Sequence, residues 1–253
     1  MIQKERLDIL LAQRGLCLTR EQAQRCVLAG EVWQGTNRLE KPGVRLPIDA
    51  PLEVRARSQK FVSRGGFKIE HALETFQIPV RDRVCLDVGA STGGFTDCLL
   101  QRGARRVFAV DCGHGQLDHK LRVDPRVTCL EKVNARHLNS LTLADAHADA
   151  AEITFVCADA SFISLKLLIP PVLLTSPRAT DWVLLFKPQF EVGPENVGKG
   201  GLVRNQAAVT EALAEFDVFM TAHRFVRKQA PLDSPVTGKK SGNQEILLHY
   251  EKA

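Results

Sequence analysis

The sequence predicts an α/β fold in two parts: a mostly parallel sheet covered by helices on both faces, and ahead of it a small α+β unit. Three observations carry this. From Arg83 onward, short stretches that are apolar on both faces recur at intervals long enough to hold a helix, as in a buried parallel sheet. Residues 6–55 instead read helix, helix, strand, strand. The charge is also divided: residues 1–68 hold 13 Lys/Arg against 7 Asp/Glu, a net +6, whereas the whole chain carries +5.

In the front unit Leu7, Leu10, Leu11 and Arg14 fall at helical spacing, and Gly15 is placed to end that helix. Thr19 is a candidate N-cap for a second helix, which turns Ala23, Cys26 and Val27 inward and ends at Gly30. Glu31–Trp33 and Pro51–Arg55 read as short strands flanking a turn-rich stretch from Gly35 to Pro47. Residues 56–67 form a basic, glycine-containing junction, and a helix over Gly66–Phe76 follows. Strands are then expected at Val84–Val88, Arg106–Val110, Val127–Leu130, Ile153–Cys157 and Trp182–Phe186. Helices are expected at Gly94–Gln101, Phe162–Leu174 and Asn205–Thr221. Phe225–Lys228 and Glu245–Tyr250 complete a seven-stranded sheet, the last strand returning antiparallel. The expected boundaries are 1–58 for the front unit, 59–64 for a linker and 65–253 for the α/β domain.

Composition narrows the class. With 253 residues, 44% hydrophobic and 25% charged, the chain can bury a real core. No run approaches the ~20 apolar residues of a membrane span, and the N-terminus lacks the apolar centre of a signal peptide. A cytoplasmic monomer is the expectation. The seven cysteines are odd in number and include no C-x-x-C pair, so they read as small core residues in a reducing compartment; no metal site is expected. A basic front end on a near-neutral body is suited to a polyanion.

The most informative stretch is Val84-Cys85-Leu86-Asp87-Val88-Gly89-Ala90-Ser91-Thr92-Gly93-Gly94-Phe95-Thr96, a strand running into a glycine loop that opens a helix. Ligands in such sheets bind beyond the carboxyl ends of the strands. Gly89, Gly93 and Gly94 are expected to let backbone approach a ligand closely, with Ser91, Thr92 and Phe95 beside them. Ser91 replaces the second glycine of the dinucleotide fingerprint, which argues against a pyrophosphate cradle. Asp87, at the expected pocket mouth, would oppose a phosphate but suit an ammonium group. Asp111, after the next strand, can accept bonds from both ribose hydroxyls. Asn134 and Asp159 follow the third and fourth strands and could bond an adenine edge or the reacting end. Together these describe a site for S-adenosylmethionine better than one for NAD.

Four polar residues sit oddly for structural roles: Lys68, Asp159, Lys187 and Glu245. Asp159 and Lys187 end neighbouring apolar strands, on the rim where Asp87 and Asp111 emerge. A ribose hydroxyl is a poor nucleophile until its proton is taken, and a lysine titrating near ambient pH can take it. Burial and a second nearby cation lower a lysine's pKa. Lys187 is therefore the expected base, with Lys68 supplying the second charge and Asp159 and Glu245 orienting the amines.

Arg6-Leu7-Asp8, Gly15-Leu16, Thr19-Arg20, Ala23, Gly30-Glu31-Val32 and Lys41-Pro42-Gly43 together resemble the S4 RNA-binding domain. Its usual V-x-V-N-G turn stands here as Val32-Trp33-Gln34-Gly35, a local departure. The resemblance implies RNA contact through Arg6, Arg14, Arg20, Arg25 and Lys41, joined by Arg64 of the junction. Ser63-Arg64-Gly65-Gly66-Phe67-Lys68, the Asp87–Thr96 loop, Asp159-Ala160-Ser161-Phe162, Lys187-Pro188-Gln189-Phe190-Glu191 and Ser241-Gly242-Asn243-Gln244-Glu245 resemble the FtsJ-type ribose methyltransferases. With the S4 domain, the chain resembles the TlyA family, known as ribosomal-RNA cytidine 2'-O-methyltransferases and often labelled hemolysin. That resemblance implies a Rossmann-like class I methyltransferase domain, S-adenosylmethionine as cofactor and Lys68, Asp159, Lys187 and Glu245 as a catalytic tetrad. It also implies ribosomal RNA or a ribosomal subunit as partner, the substrates being cytidines of 16S and 23S rRNA or of 23S alone.

Two features stay open. The loop Gln189–Arg204 reads equally as a lid over substrate or as passive surface, and Lys239 and Lys240 as phosphate contacts or solvated charges. An inactive RNA-binding assembly factor would show a broken tetrad or glycine loop, and neither is broken. A membrane-active hemolysin would need a spanning or strongly amphipathic segment, and none is found.

Overall fold

The computed structural model describes residues 3–17, 19–54, 60–236 and 242–253. The chain divides into two compact units, Met1–Gln59 and Lys60–Ala253.

In the first unit β1 (Lys4–Arg6) runs straight into α1 (Leu7–Gln13), followed by α2 (Arg20–Leu28), β2 (Val32–Gln34), β3 (Asn37–Arg38), β4 (Arg45–Pro47) and β5 (Glu53–Val54). Thr19 caps α2, its hydroxyl accepting the Gln22 N–H at 3.1 Å. Leu7, Leu11, Ala23, Val27 and Val32 form the core with Cys17. β2 pairs antiparallel with β3 and β5, and β1 with β4. The stretch from Gly35 to Pro47, expected as turns, therefore contains β3 and β4, too short for alternation to reveal. Arg55, at the end of the strand expected over Pro51–Arg55, lies outside the described residues.

The second unit opens with α3 (Gly65–Thr75) and then alternates: β6 (Val84–Val88), α4 (Gly94–Gln101), β7 (Arg106–Val110), α5 (His119–Arg122), β8 (Val127–Leu130), α6 (Ser140–Ala146), β9 (Ile153–Ala158), α7 (Leu165–Thr175), β10 (Asp181–Phe186), α8 (Pro188–Glu191) and α9 (Gln206–Ala222). It closes with β11 (Phe225–Arg227), β12 (Leu232–Asp233) and β13 (Ile246–Lys252). The strand order is β11-β13-β10-β9-β6-β7-β8, with β12 also paired to β13. β12 makes the sheet eight-stranded rather than seven; two residues leave no periodicity to read. β6 through β10 run parallel and β13 antiparallel, as expected.

Alternate residues of each inner strand enter opposite cores, because successive strand side chains point to opposite faces. Val84, Leu86, Val88, Trp182, Leu184 and Phe186 join α6, α7 and α9, whereas Cys85, Val183 and Leu185 join α3 and α4. Leu184 is fully buried, so truncating it to Ala would cost about 2–5 kcal/mol. Residues 60–64, expected as linker, pack with this unit: Phe61 is buried in its core, and the Val62 N–H donates to Asp97 Oδ2 at 2.8 Å. Among the described residues no helix is long and apolar enough to cross a membrane.

From β6 the chain crosses to β7 and β8, then returns to lay β9 and β10 on the other side of β6. This reversal makes the carboxyl ends of β6 and β9 a topological switch point, the usual ligand crevice of an open α/β sheet.

Candidate functional site

Two cavities, of about 330 and 350 Å³, open at that crevice and share Gly89, Ser91, Asp159 and Ser161. Each is within the size range of small-ligand sites. The first is lined by Arg64, Lys68, Thr92, Gly94, Phe95, Lys187 and Glu245 among others; the second by Asp111, Gln116, Asn134 and the apolar Val133, Ala135 and Leu168.

Four elements bring the expected tetrad together. Lys68 stands in the first turn of α3, Asp159 follows β9, Lys187 follows β10 ahead of Pro188, and Glu245 precedes β13. Asp159 bridges the amines, with Oδ1 at 2.5 Å from Lys187 Nζ and Oδ2 at 3.3 Å from Lys68 Nζ. Lys68 Nζ also reaches Glu245 Oε2 at 2.6 Å. The result is an alternating chain, Lys187–Asp159–Lys68–Glu245, with both lysines and Glu245 buried. Charges taken out of water persist only when partnered in this way. Lys187 Nζ donates once more, to Ser161 Oγ at 2.8 Å. Ser161 lay unremarked inside the Asp159–Phe162 motif, since no sequence spacing predicts its contact with Lys187.

The glycine loop differs from expectation in detail. Gly89 has φ +84° and lines both cavities, but a Cβ there would stand 2.7 Å from the Asp159 carbonyl oxygen. Gly93 has φ +94°, and its Cβ would strike Leu121. At Gly94 the obstacle is Ser63 Oγ. All three are needed for close protein packing, and Gly93 lines neither cavity.

Asp87 is a clearer correction. It is fully buried and lines neither cavity. Oδ2 accepts the Thr96 N–H at 3.0 Å and the Thr96 hydroxyl at 2.7 Å, while Oδ1 is buried without a partner. Burial pushes its carboxyl up, the Thr96 bonds oppose this, and the nearby Asp159 charge adds to it; the result is about 7. Asp87 thus anchors the start of α4 instead of standing at the pocket mouth to receive an ammonium group.

Asp111 does face the second cavity. Its Oδ2 accepts the Ser91 N–H at 2.8 Å and its Oδ1 the Gly113 N–H at 2.6 Å, which leaves each oxygen a lone pair for a further donor. Asn134 lines the same cavity while its side chain accepts the Arg136 N–H at 3.0 Å. Glu131, which the sequence did not single out, accepts the N–H groups of Gly115, Gln116 and Leu117 and a bond from Arg122 at 2.7 Å. Burial opposes its ionisation, but these donors outweigh it and hold the carboxyl at about 2. Glu131 thereby fixes the loop that carries Gln116 to the cavity.

Two further carboxamide or carboxyl groups frame the tetrad. Glu191 accepts the Leu165 N–H and the Ser164 hydroxyl, both at 2.7 Å, holding the start of α7. Asn243 donates to Gln189 Oε1 at 2.9 Å and the Gly201 carbonyl at 2.8 Å, and accepts the Val203 N–H at 2.9 Å. The loop Gln189–Arg204 is therefore stitched to the segment carrying Glu245. Lys239, Lys240 and Ser241 lie outside the described residues.

In the first unit, Asp8 is fully buried and accepts from Arg6, Arg20 and Gln24. The Arg6 bond, joined by those of Gln24 and Arg20, holds its carboxyl well below the usual range against the effect of burial. Arg14 donates to the carbonyls of Ile48 and Ala50. Three of the arginines expected to contact RNA thus have internal partners. Arg25 and Lys41 are exposed and make no ion pair among the described residues. Arg64 lines the first cavity.

A doubly wound sheet whose switch point carries a cavity lined by Asp111, Asn134 and apolar side chains, adjoining one lined by a lysine–carboxylate chain, has the arrangement of a class I methyltransferase. The comparisons narrow the class. The model of the FtsJ-like methyltransferases matches residues 61–252, and that of the S4 domain matches residues 5–50. The chain belongs to the FtsJ-like methyltransferase family, in the branch that joins this domain to S4 and includes TlyA. It is 45% identical, over 98% of its length and 85% of the relative's, to YqxC of Bacillus subtilis, provisionally named an rRNA methyltransferase. It is 41% identical to the 16S/23S rRNA (cytidine-2'-O)-methyltransferase TlyA of Mycobacterium tuberculosis, over 98% of this chain and 90% of that one. A solved structure provisionally named a hemolysin, from Streptococcus thermophilus, is 40% identical and matches 100% of this chain and 90% of that one at a TM-score of 0.74.

Proposed function

We propose that the protein transfers a methyl group from S-adenosylmethionine to a ribose 2'-hydroxyl of ribosomal RNA, cytidine of 16S or 23S rRNA being the substrate, in the cytoplasm. The observation that carries this reading is the position of Lys187 Nζ: buried, held by Asp159, and at the wall of a cavity that adjoins the one holding Asp111 and Asn134. The chemistry of the second cavity fits a nucleoside. A carboxylate with free lone pairs suits a ribose diol, and Val133, Ala135 and Leu168 suit a purine face.

Asp111, Asn134 and the Gly89–Ser91 turn would hold the cofactor. When bound, it supplies an electrophilic methyl on a sulfonium sulfur, which departs with the carbon–sulfur electron pair. Lys187, once its ammonium has given a proton to water, takes the 2'-hydroxyl proton as the oxygen attacks. Lys68, between Asp159 and Glu245, places a positive charge beside the developing alkoxide. Asp159 holds both amines, so their spacing does not depend on substrate. Arg25 and Lys41 of the S4 unit and Arg64 at the cavity give the phosphate backbone its contacts.

Calorimetry with S-adenosylhomocysteine, and transfer of labelled methyl to ribosomal RNA, test this. The protein binds the nucleoside product and methylates the RNA; Lys187→Ala binds it equally but transfers about 10²–10⁴-fold more slowly. Undiminished transfer by Lys187→Ala contradicts the assignment of the base, and absence of binding contradicts the cofactor.

A further inference from the structure

We propose that Ser161 is a positioning residue that aims the Lys187 lone pair at the ribose hydroxyl. The inference rests on the reading of Lys187 as base and adds what makes it directional. An amine able to accept a proton carries two hydrogens and one lone pair, arranged tetrahedrally about Nζ with Cε. Among the described residues, two acceptors stand within hydrogen-bond distance of Lys187 Nζ: Asp159 Oδ1 at 2.5 Å and Ser161 Oγ at 2.8 Å. With both hydrogens engaged, the lone pair has one remaining direction. Asp159 alone would leave Nζ free to turn about the Cε–Nζ bond, and the lone pair would sample other directions.

Ser161 is exposed, but the loop that carries it is anchored at both ends. Its loop is tied at one end by the Asp159 N–H, which donates to the Val88 carbonyl at 3.0 Å. At the other end Glu191 grips Ser164 and the Leu165 N–H. Ser161 lines both cavities, so its oxygen stands beside the reacting centre without being spent on packing. In the step itself the 2'-oxygen bonds to the methyl carbon, the electron pair of the broken carbon–sulfur bond stays on sulfur, and the hydroxyl proton bonds to Nζ. The resulting ammonium keeps its bonds to Asp159 and Ser161 and later loses the extra proton to water.

Single-turnover transfer at saturating cofactor and RNA provides the test, with S-adenosylhomocysteine affinity measured by calorimetry alongside. In Ser161→Ala the rate constant falls about 10-fold or more, since small misorientations at a reacting centre are costly, while affinity stays within about 2-fold. Ser161→Thr, which keeps the hydroxyl, recovers most of the rate. In a Lys187→Ala background, Ser161→Ala has no further effect, because residues acting as a unit are not additive. A full rate in Ser161→Ala, or an undiminished penalty in the Lys187→Ala background, overturns the proposal. Absence of transfer by the unsubstituted protein would instead remove the underlying reading of function.

Discussion

Lys68 Nζ lies 2.6 Å from Glu245 Oε2 although 177 positions separate the two residues, and both side chains are nearly excluded from solvent. Breaking a buried pair strands a charge at a cost of about 3–5 kcal/mol, whereas removing both partners together costs less. Urea unfolding of Lys68→Met, Glu245→Ala and the double variant should therefore give a coupling energy of about 1–3 kcal/mol. Additive single effects would mean that the pair is not coupled in solution.

RNA binding should separate the arginines of the first unit. Arg25 and Lys41 face solvent with no ion-pair partner among the described residues, so each alanine variant should lower the slope of log affinity against log salt by about 1. Arg14 spends its guanidinium on the Ile48 and Ala50 carbonyls. Arg14→Ala should lower the melting temperature and leave the slope nearly unchanged. An equal slope change in all three variants would show that Arg14 releases those carbonyls to reach RNA.

Glu131→Gln should loosen the loop at residues 115–117 and raise the dissociation constant of S-adenosylhomocysteine about 10-fold, a loss of about 1.4 kcal/mol. The same residue should shape acid stability. Its carboxyl is held at about 2 against an ordinary 4.5, so its stabilising effect is complete above the higher value and fades as pH falls toward the lower. The stability advantage of the wild type over Glu131→Gln should therefore shrink between pH 5 and pH 2. A constant advantage would contradict the ionised contact with three backbone N–H groups.

Asp87 predicts the opposite trend. A carboxyl raised from 3.8 to about 7 favours the protonated fold, so stability is greatest below the lower value and declines as pH rises toward the higher. Asp87→Asn mimics the neutral form. Relative to wild type it should gain on the order of 2 kcal/mol between pH 5 and pH 8. A pH-independent difference would show that Asp87 is ionised throughout.

The sheet was legible because Val84–Val88 and Trp182–Phe186 are apolar on both faces, and only a strand covered on both sides needs that. The proximity of Asp159 and Lys187 was legible because both end such strands, and strand ends in this fold converge; Lys68 and Glu245 were joined to them as a tetrad by the family resemblance. Ser161, Glu131, Glu191 and Asn243 were not, since each acts on a residue brought near only by the fold: Ser161 on Lys187, and Asn243 on Gln189 and Val203. Asp87 misled for a related reason. Its position late in β6 implied the pocket rim, but the strand buries it and Thr96 occupies one of its oxygens. Arg6 and Arg20 likewise read as basic charges available to RNA, but the fold pairs both with the buried Asp8.

The most direct test of the central claim is to locate the methyl group. Ribosomal RNA treated with the protein and S-adenosylmethionine can be digested to nucleosides and fragmented in a mass spectrometer, which separates sugar from base. The label should lie on the ribose of cytidine, and it should be missing from RNA treated with Lys187→Ala. A methyl group on a base would contradict the account.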